Sequence, residues 1–351
     1  MSREPLRPEP FRLEPIFSPR IWGARSLAPL YPEKSDLKEP LGEAWLTGFD
    51  CRVASGPFKG KTLREAWQEM PAEWRGSKMA DRGEFPLLVK FIFPTDKLSI
   101  QVHPDDAYAK AHEGGAGGRG KTEMWHVVSA EPHAQILAGL KPGVDKRAFL
   151  EGLEKETLES LFQAHPVRAG DTIFVPAGTP HTIGPGMIIL EVQEYSDLTY
   201  RVYDYGRVDA RGRPRELHID KALQVMNFGA TSARKTSRLS LPADDLQRSL
   251  LVACPYFAAE EWEPAGPFVM RTDPSHFDLL VSISADGFLN QIPCRRGDCW
   301  LLPANLGEYN FLPLEKPATL LRTYPPDLNV VRAELWEAGH DKTVAREAVF
   351  D

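Results

Sequence analysis

Gly170 to Ala177 reads GDTIFVPA, and Gly297 to Ala304 reads GDCWLLPA. Each is a Gly-Asp turn, a four-residue run of strand-forming side chains, and then Pro-Ala. The two copies start 127 residues apart. They fit a duplicated β unit, although Gly-Asp turns and strand-edge prolines are common enough that coincidence fits this pair as well. Under duplication His181 aligns with Glu308, so only the first copy would keep a histidine there, and the second would be a structural partner without a metal.

Outward from the repeat, 31 prolines and 27 glycines punctuate short runs rich in Val, Ile, Leu and Phe. Many strands joined by tight turns follow from that pattern, so the fold class is mainly β. Two stretches have apolar residues at helical spacing instead, Thr62 to Met79 and Asp145 to Gln163. A third helical candidate, Glu216 to Phe228, sits where the chain would leave one β unit for the next. The expected division is a first domain over residues 1–228, with helical insertions near 62–79 and 145–163, and a second over 229–351.

The bulk numbers exclude several function classes. A chain of 351 residues has room for about two domains. With 42% hydrophobic and 26% charged residues it has ordinary globular composition. A net charge of −7 without basic blocks argues against a nucleic-acid partner. No run of 18 apolar residues suggests a membrane span, and the start MSREPLRPEPFRLEP has no signal-peptide core, so a cytoplasmic location is expected. Cys51, Cys254, Cys294 and Cys299 form no CxxC pair and are expected as reduced thiols.

The chemistry concentrates in three segments. In Lys97 to Asp106, KLSIQVHPDD, strand alternation puts Ser99, Gln101 and His103 on one face and Ile100 and Val102 on the other. That polar face suits either solvent or a ligand. Lys121 to His126, KTEMWH, follows the glycine-rich loop Gly114 to Gly120, which lacks P-loop order and reads as a hairpin connection or lid. Glu123 lies among apolar residues with Lys121 and Trp125 as its alternation partners, and a buried acid needs a counter-charge; His126 has the opposite parity. In Val175 to Ile183, VPAGTPHTI, the turn delivers His181 at a strand start, as a structural histidine or as a ligand. Two His, one Glu and one Gln would form an N/O donor set suited to Zn²⁺.

SIQVHPDD, KTEMWH and PAGTPHT resemble, in order and spacing, the motifs of type I mannose-6-phosphate isomerases, zinc enzymes with the cupin fold, and the chain looks most like their short bacterial form. PIFSPRIWG, LGEAWLTG, EVQEYSDLTYRVYDYGR and ELHIDKAL extend the likeness over most of residues 14 to 225. The resemblance implies two cupin (jelly-roll) β-sandwich domains, the second degenerate. It places one Zn²⁺ per chain on Gln101, His103, Glu123 and His181. The reaction would interconvert mannose 6-phosphate and fructose 6-phosphate through an enediol(ate), a proton moving between C1 and C2.

The same resemblance gives Arg201 an active-site role; an ion pair with Asp197 or Asp204 is the plainer alternative. It makes Lys121 and Glu191 the candidate proton-transfer groups, with Glu191 open to a hydroxyl-binding role. Ser99 and Arg207 correspond to the phosphate end, with Lys97 as a helper; surface salt bridges would serve equally for Arg207 and Lys97. Rival functions are isomerisation of another aldose or aldose phosphate, a non-catalytic sugar-binding cupin, and a metal oxygenase.

Overall fold

Glycines at positive φ close the turns that the repeat predicts. Gly170 and Gly297 have φ of 86° and 80°, and each precedes an aspartate whose carboxylate accepts a backbone N–H three residues back. The structure is a computed structural model describing residues 7–114, 118–208, 211–228, 233–243 and 245–351.

Thirteen strands come first: β1 (Phe11–Leu13), β2 (Ile16–Ala24), β3 (Leu41–Trp45), β4 (Leu87–Ile92), β5 (Ile100–Val102), β6 (Glu123–Ala130) and β7 (Gln135–Leu140), then β8 (Phe162–Pro166), β9 (Thr172–Val175), β10 (His181–Ile183), β11 (Met187–Glu194), β12 (Tyr200–Tyr203) and β13 (Arg234–Lys235). Ten more follow: β14 (Leu239–Leu241), β15 (Leu246–Ala253), β16 (Ala258–Pro264), β17 (Phe268–Arg271) and β18 (Asp278–Ser282), then β19 (Gly287–Leu289), β20 (Ile292–Cys294), β21 (Cys299–Leu302), β22 (Glu308–Pro313) and β23 (Leu320–Tyr324). A seven-stranded sheet ordered β13-β9-β6-β11-β4-β3-β2 faces a five-stranded sheet β12-β5-β10-β7-β8. A second seven-stranded sheet, β1-β21-β18-β23-β16-β15-β14, faces a four-stranded one, β17-β22-β19-β20.

The two large sheets have corresponding strand orders, so the repeat extends well beyond eight residues. In one, Glu123 pairs with Val175; in the other, Asp278 pairs with Leu302, the residue matching Val175 in the repeat. Edge strands are exchanged: β1 joins the sheet otherwise built from residues 239–324, and β13 joins the sheet containing β9.

Alternation assigns the faces. Along β4, Leu87, Val89 and Phe91 enter a core cluster shared with Leu279, Val281, Leu301 and Leu321, so the large sheets pack back to back. Ile92 points the other way, with Trp125, Ile173 and Ile189, against Ile136 and Ile183 of the five-stranded sheet. Lys90 shares that second face and is 4% exposed.

The helical insertions are shorter than periodicity alone implies. Helix α1 (Leu63–Glu69) starts at a capping box between Thr62 and Glu65, and Pro71 ends it by holding Met70 extended. A turn of helix, α2 (Ala72–Arg75), stops at Gly76, whose backbone lies against His276 so closely that a Cβ would stand 2.4 Å from its nitrogen. Helix α3 (Asp106–His112), without apolar periodicity, is capped by Asp105. The predicted helix over 145–163 is α4 (Lys146–Glu154) and a 3₁₀ turn, after which Phe162 already belongs to β8. Helix α5 (Ile219–Val225) lies within 216–228 as expected. The C-terminal α6 (Leu328–Glu337) and α7 (Lys342–Ala345) complete the chain. Among the described residues no helix is long and apolar enough to cross a membrane, and all four cysteines are buried and unpaired.

Candidate active site

Three segments distant in sequence meet because β5 pairs with both β10 and β12, while β6 lies on the facing sheet. His181 stands opposite Gln101, and Arg201 stands opposite Gln101 on the other side. The ligand atoms of His103, Glu123 and His181 all lie within 4.8 Å of one another, the one such group of three among the described residues. All three side chains are at most 2% exposed.

Hydrogen bonds fix the tautomers. His103 Nδ1 lies 2.8 Å from Leu198 O, and His181 Nδ1 lies 2.9 Å from Thr179 O. Each Nδ1 therefore donates, which leaves the Nε2 lone pairs turned inward. Burial, then the Lys121 charge, lowers both imidazoles, His181 to about 3, so both are neutral at physiological pH. Glu123 Oε1 is 3.3 Å from His181 Nε2 and 3.6 Å from His103 Nε2. Neither Glu123 oxygen has a hydrogen bond of acceptable angle, although Lys121 Nζ is 2.9 Å from Oε2. Gln101 places its amide 3.3 Å from His181 Nε2, and turning that amide over presents its oxygen. Neutral imidazoles and a carboxylate with converging lone pairs could hold a divalent metal, with the Gln101 amide oxygen within reach.

Lys121 also lies 3.1 Å from His103 Nε2 and 3.4 Å from Glu191. Lys90 continues the charge ladder, 3.1 Å from Glu191 and 3.5 Å from Glu43, and Arg20 reaches Glu43 at 2.6 Å. Burial favours a protonated Glu191, but the coulombic effects of Lys90 and Lys121 outweigh it and hold the carboxyl well below its ordinary range. Burial dominates at Glu123, which is pushed well above it.

Gln101, Lys121, Glu123, Glu191, Lys90 and Glu43 line a cleft of about 500 Å³ whose wall also includes Ser99, Trp125, Asp197, Arg201, Arg215 and His218. Arg201 Nη1 donates to Glu216 O, its Nε is buried without a hydrogen bond, and the alternative pairing with Asp204 does not form because Arg207 and Arg215 hold that carboxylate. The structure therefore brings together seven of the ten sequence candidates: Gln101, His103, Glu123, His181, Lys121, Glu191 and Arg201; Ser99 joins them as an eighth.

Lys97 and Arg207 are turned elsewhere. Lys97 Nζ binds both oxygens of Glu159 at 2.8 Å. Arg207 is used up by Asp204, Asp96 and the Lys97 carbonyl. Neither of these two expected phosphate contacts lines the cleft. Of the glycine-rich loop read as a connection or lid, residues 115–117 lie outside the described residues. Sequence reading missed Glu43, Lys90, Arg20, Arg215 and His218. The one available signal was Lys90 inside the apolar run FPLLVKFIF, a cation that a buried strand has to neutralise.

The second sandwich carries the same row with its signs reversed. Register places Arg322 where Glu191 stands, Glu260 at Lys90 and Arg248 at Glu43. Arg322 bridges Asp278 at 2.9 Å and Glu260 at 3.0 Å, so Asp278, the counterpart of Glu123, is already neutralised by a guanidinium. Glu308 is exposed and pairs with Arg271.

A β-sandwich that gathers two buried His and a buried Glu with Gln101 beside a charged cleft defines a metal-dependent enzyme of the cupin class. The profile of the phosphomannose isomerase type I catalytic domain matches residues 11–126. The chain is 36% identical over 310 residues to mannose-6-phosphate isomerase ManA of Bacillus subtilis, covering 86% of this chain and 95% of that protein. It is 36% identical over 312 residues to the mannose-6-phosphate isomerase of Streptococcus mutans, with the same coverage. The crystal structure of the Bacillus subtilis mannose 6-phosphate isomerase superposes with a TM-score of 0.81 at 31% identity, over 90% of this chain and 99% of that one. The chain belongs to the type I phosphomannose isomerase family.

Proposed function

We propose that this chain interconverts mannose 6-phosphate and fructose 6-phosphate, with one Zn²⁺ held by Gln101, His103, Glu123 and His181. The observation that carries the reading is the convergence of two Nε2 lone pairs on the Glu123 carboxyl, which itself lines a cleft of about 500 Å³. When bound, the divalent ion supplies positive charge that polarises the sugar carbonyl and acidifies the adjacent C–H.

The chain's own groups do the rest. Lys121, between Glu123 and Glu191, is assigned the proton transfer: as the neutral amine it takes the proton from C2 of the aldose, leaving the enediol(ate), and as the ammonium it returns that proton to C1. Glu191, kept as a weakly basic carboxylate by Lys90 and Lys121, accepts a sugar hydroxyl rather than a carbon-bound proton. Ser99, beside Gln101 at 3.3 Å, orients that end of the substrate. Arg201 and Arg215 on the cleft wall receive the phosphate, since a guanidinium fork suits its oxygens. The reversed charge at Arg322, which neutralises Asp278 at the counterpart of Glu123, supports a single metal per chain.

The test is solvent exchange at C2 of mannose 6-phosphate in D₂O, alongside metal analysis. Turnover that stops on chelation and returns with one zinc equivalent is expected. Turnover of free mannose or another aldose phosphate in preference to mannose 6-phosphate, or two tightly bound metal equivalents, overturns the assignment.

A further inference from the structure

The segment that carries Lys121 and Glu123 is fastened from behind by a pair of acids outside the cleft. In an extended chain the N–H groups of residues 120 and 122 point the same way, opposite to the N–H of residue 121. Gly120 N donates to Asp106 Oδ1 at 2.7 Å, and Thr122 N donates to Glu194 Oε1 at 2.8 Å. Lys121 N donates the other way, to Pro104 O at 3.0 Å, next to His103. Glu194 N returns a bond to Thr122 O at 3.1 Å. The approach is close: a Cβ on Gly120 would stand 2.5 Å from Asp106 N, and one on Gly118 would stand 2.2 Å from Ala109 O.

Glu194 is 5% exposed, and it hydrogen-bonds the carboxyl of Asp106 on the first turn of α3. Burial, then the Asp106 charge, pushes Glu194 up to about 8. A second cleft of about 370 Å³ exposes this pair beside Arg82, Lys110, Arg119 and Tyr256, away from the metal ligands. The amides of Gly120, Lys121 and Thr122 thus have one anchor on the ligand side and two on the far side.

We propose that Asp106 and Glu194 are positioning residues: their carboxyl clamp on the Gly120 and Thr122 amides holds Lys121 and Glu123 at the distances from His103 on which metal retention and proton transfer depend. The inference rests on the metal-centre reading for its effect on catalysis, while the clamp itself is measurable without metal. Backbone amide exchange in chelator-treated full-length protein reads the clamp; zinc loss to a competing chelator and the split between kcat and KM read its consequence.

Glu194→Ala and Asp106→Ala are each expected to lower protection at residues 120–122 and to speed zinc loss by about 10-fold, in the range of changes behind metal ligands. Both are expected to reduce kcat while KM for mannose 6-phosphate stays within about twofold. Glu194→Gln keeps an oxygen for Thr122 N and an N–H for Asp106, and is expected to retain protection, zinc and kcat. Asp106 is exposed on α3, so its variant remains informative if Glu194→Ala does not fold. Unchanged amide exchange in Asp106→Ala, or a Glu194→Gln variant that loses as much zinc and kcat as Glu194→Ala, overturns the clamp. Lost protection at 120–122 with unaltered zinc retention and kcat overturns its link to the site. Inactivity of the parent enzyme on mannose 6-phosphate would strike the functional reading alone.

Discussion

Replacing Lys90 by Met removes the central cation of a buried ladder while keeping most of the side-chain volume. Lys90 Nζ lies 3.1 Å from Glu191 Oε2 and 3.5 Å from Glu43 Oε1, and all three residues are at most 7% exposed. At an effective dielectric of about 20, each of these contacts is worth ~5 kcal/mol of gross attraction. The ammonium's own desolvation offsets much of that. Removing one partner of a buried pair nevertheless leaves the other charge stranded, and the expected loss is about 3–5 kcal/mol at pH 7. Arg20 still reaches Glu43 and Lys121 still reaches Glu191, which favours the lower end of that range.

The sign with pH follows from the carboxyls. Glu43 and Glu191 both have folded values lowered from the ordinary one, with burial opposing and Lys90 the largest lowering cause. Their contribution is complete above the unfolded value of about 4.3 and is lost as pH falls through the folded values. Without Lys90 the carboxyls can take up protons in mild acid, so the deficit of Lys90→Met should shrink between pH 7 and about pH 4.5. Urea unfolding followed by tryptophan fluorescence, with chelator present so that metal binding does not mask the change, measures it. Lys90→Met/Glu191→Gln should recover at least about 1 kcal/mol of the deficit by discharging the stranded acid. A deficit below about 1 kcal/mol at pH 7, or one independent of pH, would refute the ladder argument.

Arg201→Met should raise KM for mannose 6-phosphate or lower kcat by at least about 100-fold, whereas Lys97→Ala, which removes the pair with Glu159 and the approach to the Tyr205 ring, both outside the cleft, should leave both constants within about twofold. Steady-state kinetics on the two variants checks the contrast. Glu194, raised to about 8 by burial and Asp106, keeps a proton that the unfolded chain releases above about 4.3, so the parent protein should lose stability relative to Glu194→Gln as pH rises from 5 to 8. Parallel stability curves for the two proteins over that range would contradict it.

Local alternation already separated Ser99, Gln101 and His103 from Ile100 and Val102, and it put Lys121 and Glu123 on one face with Trp125; the structure has both divisions. A period of two residues is set by the backbone itself, so short strands reveal their faces in sequence. The same rule would put Tyr203 on the face of Thr199 and Arg201, and there it fails. A bulge between Arg201 and Tyr203 turns it into the cluster around Phe149 and Tyr200.

By itself, then, the sequence determined a β-rich chain with a repeated turn, and a donor set of two His, a Glu and a Gln on the right faces of their strands. Only the tertiary structure decided which charges complete the site. β4 lies between β11 and β3, strands about a hundred residues downstream and forty upstream, and that pairing seats Lys90 between Glu191 and Glu43. Pairing with Glu159, Asp204 and Asp96 likewise draws Lys97 and Arg207 out of the cleft. Strand faces are fixed over two or three residues of backbone geometry, whereas neighbours across a sheet are fixed by segments that share no local pattern. The residues proposed to hold the metal were therefore legible in the chain, and the charge ladder beneath them became legible only once the sheet had closed.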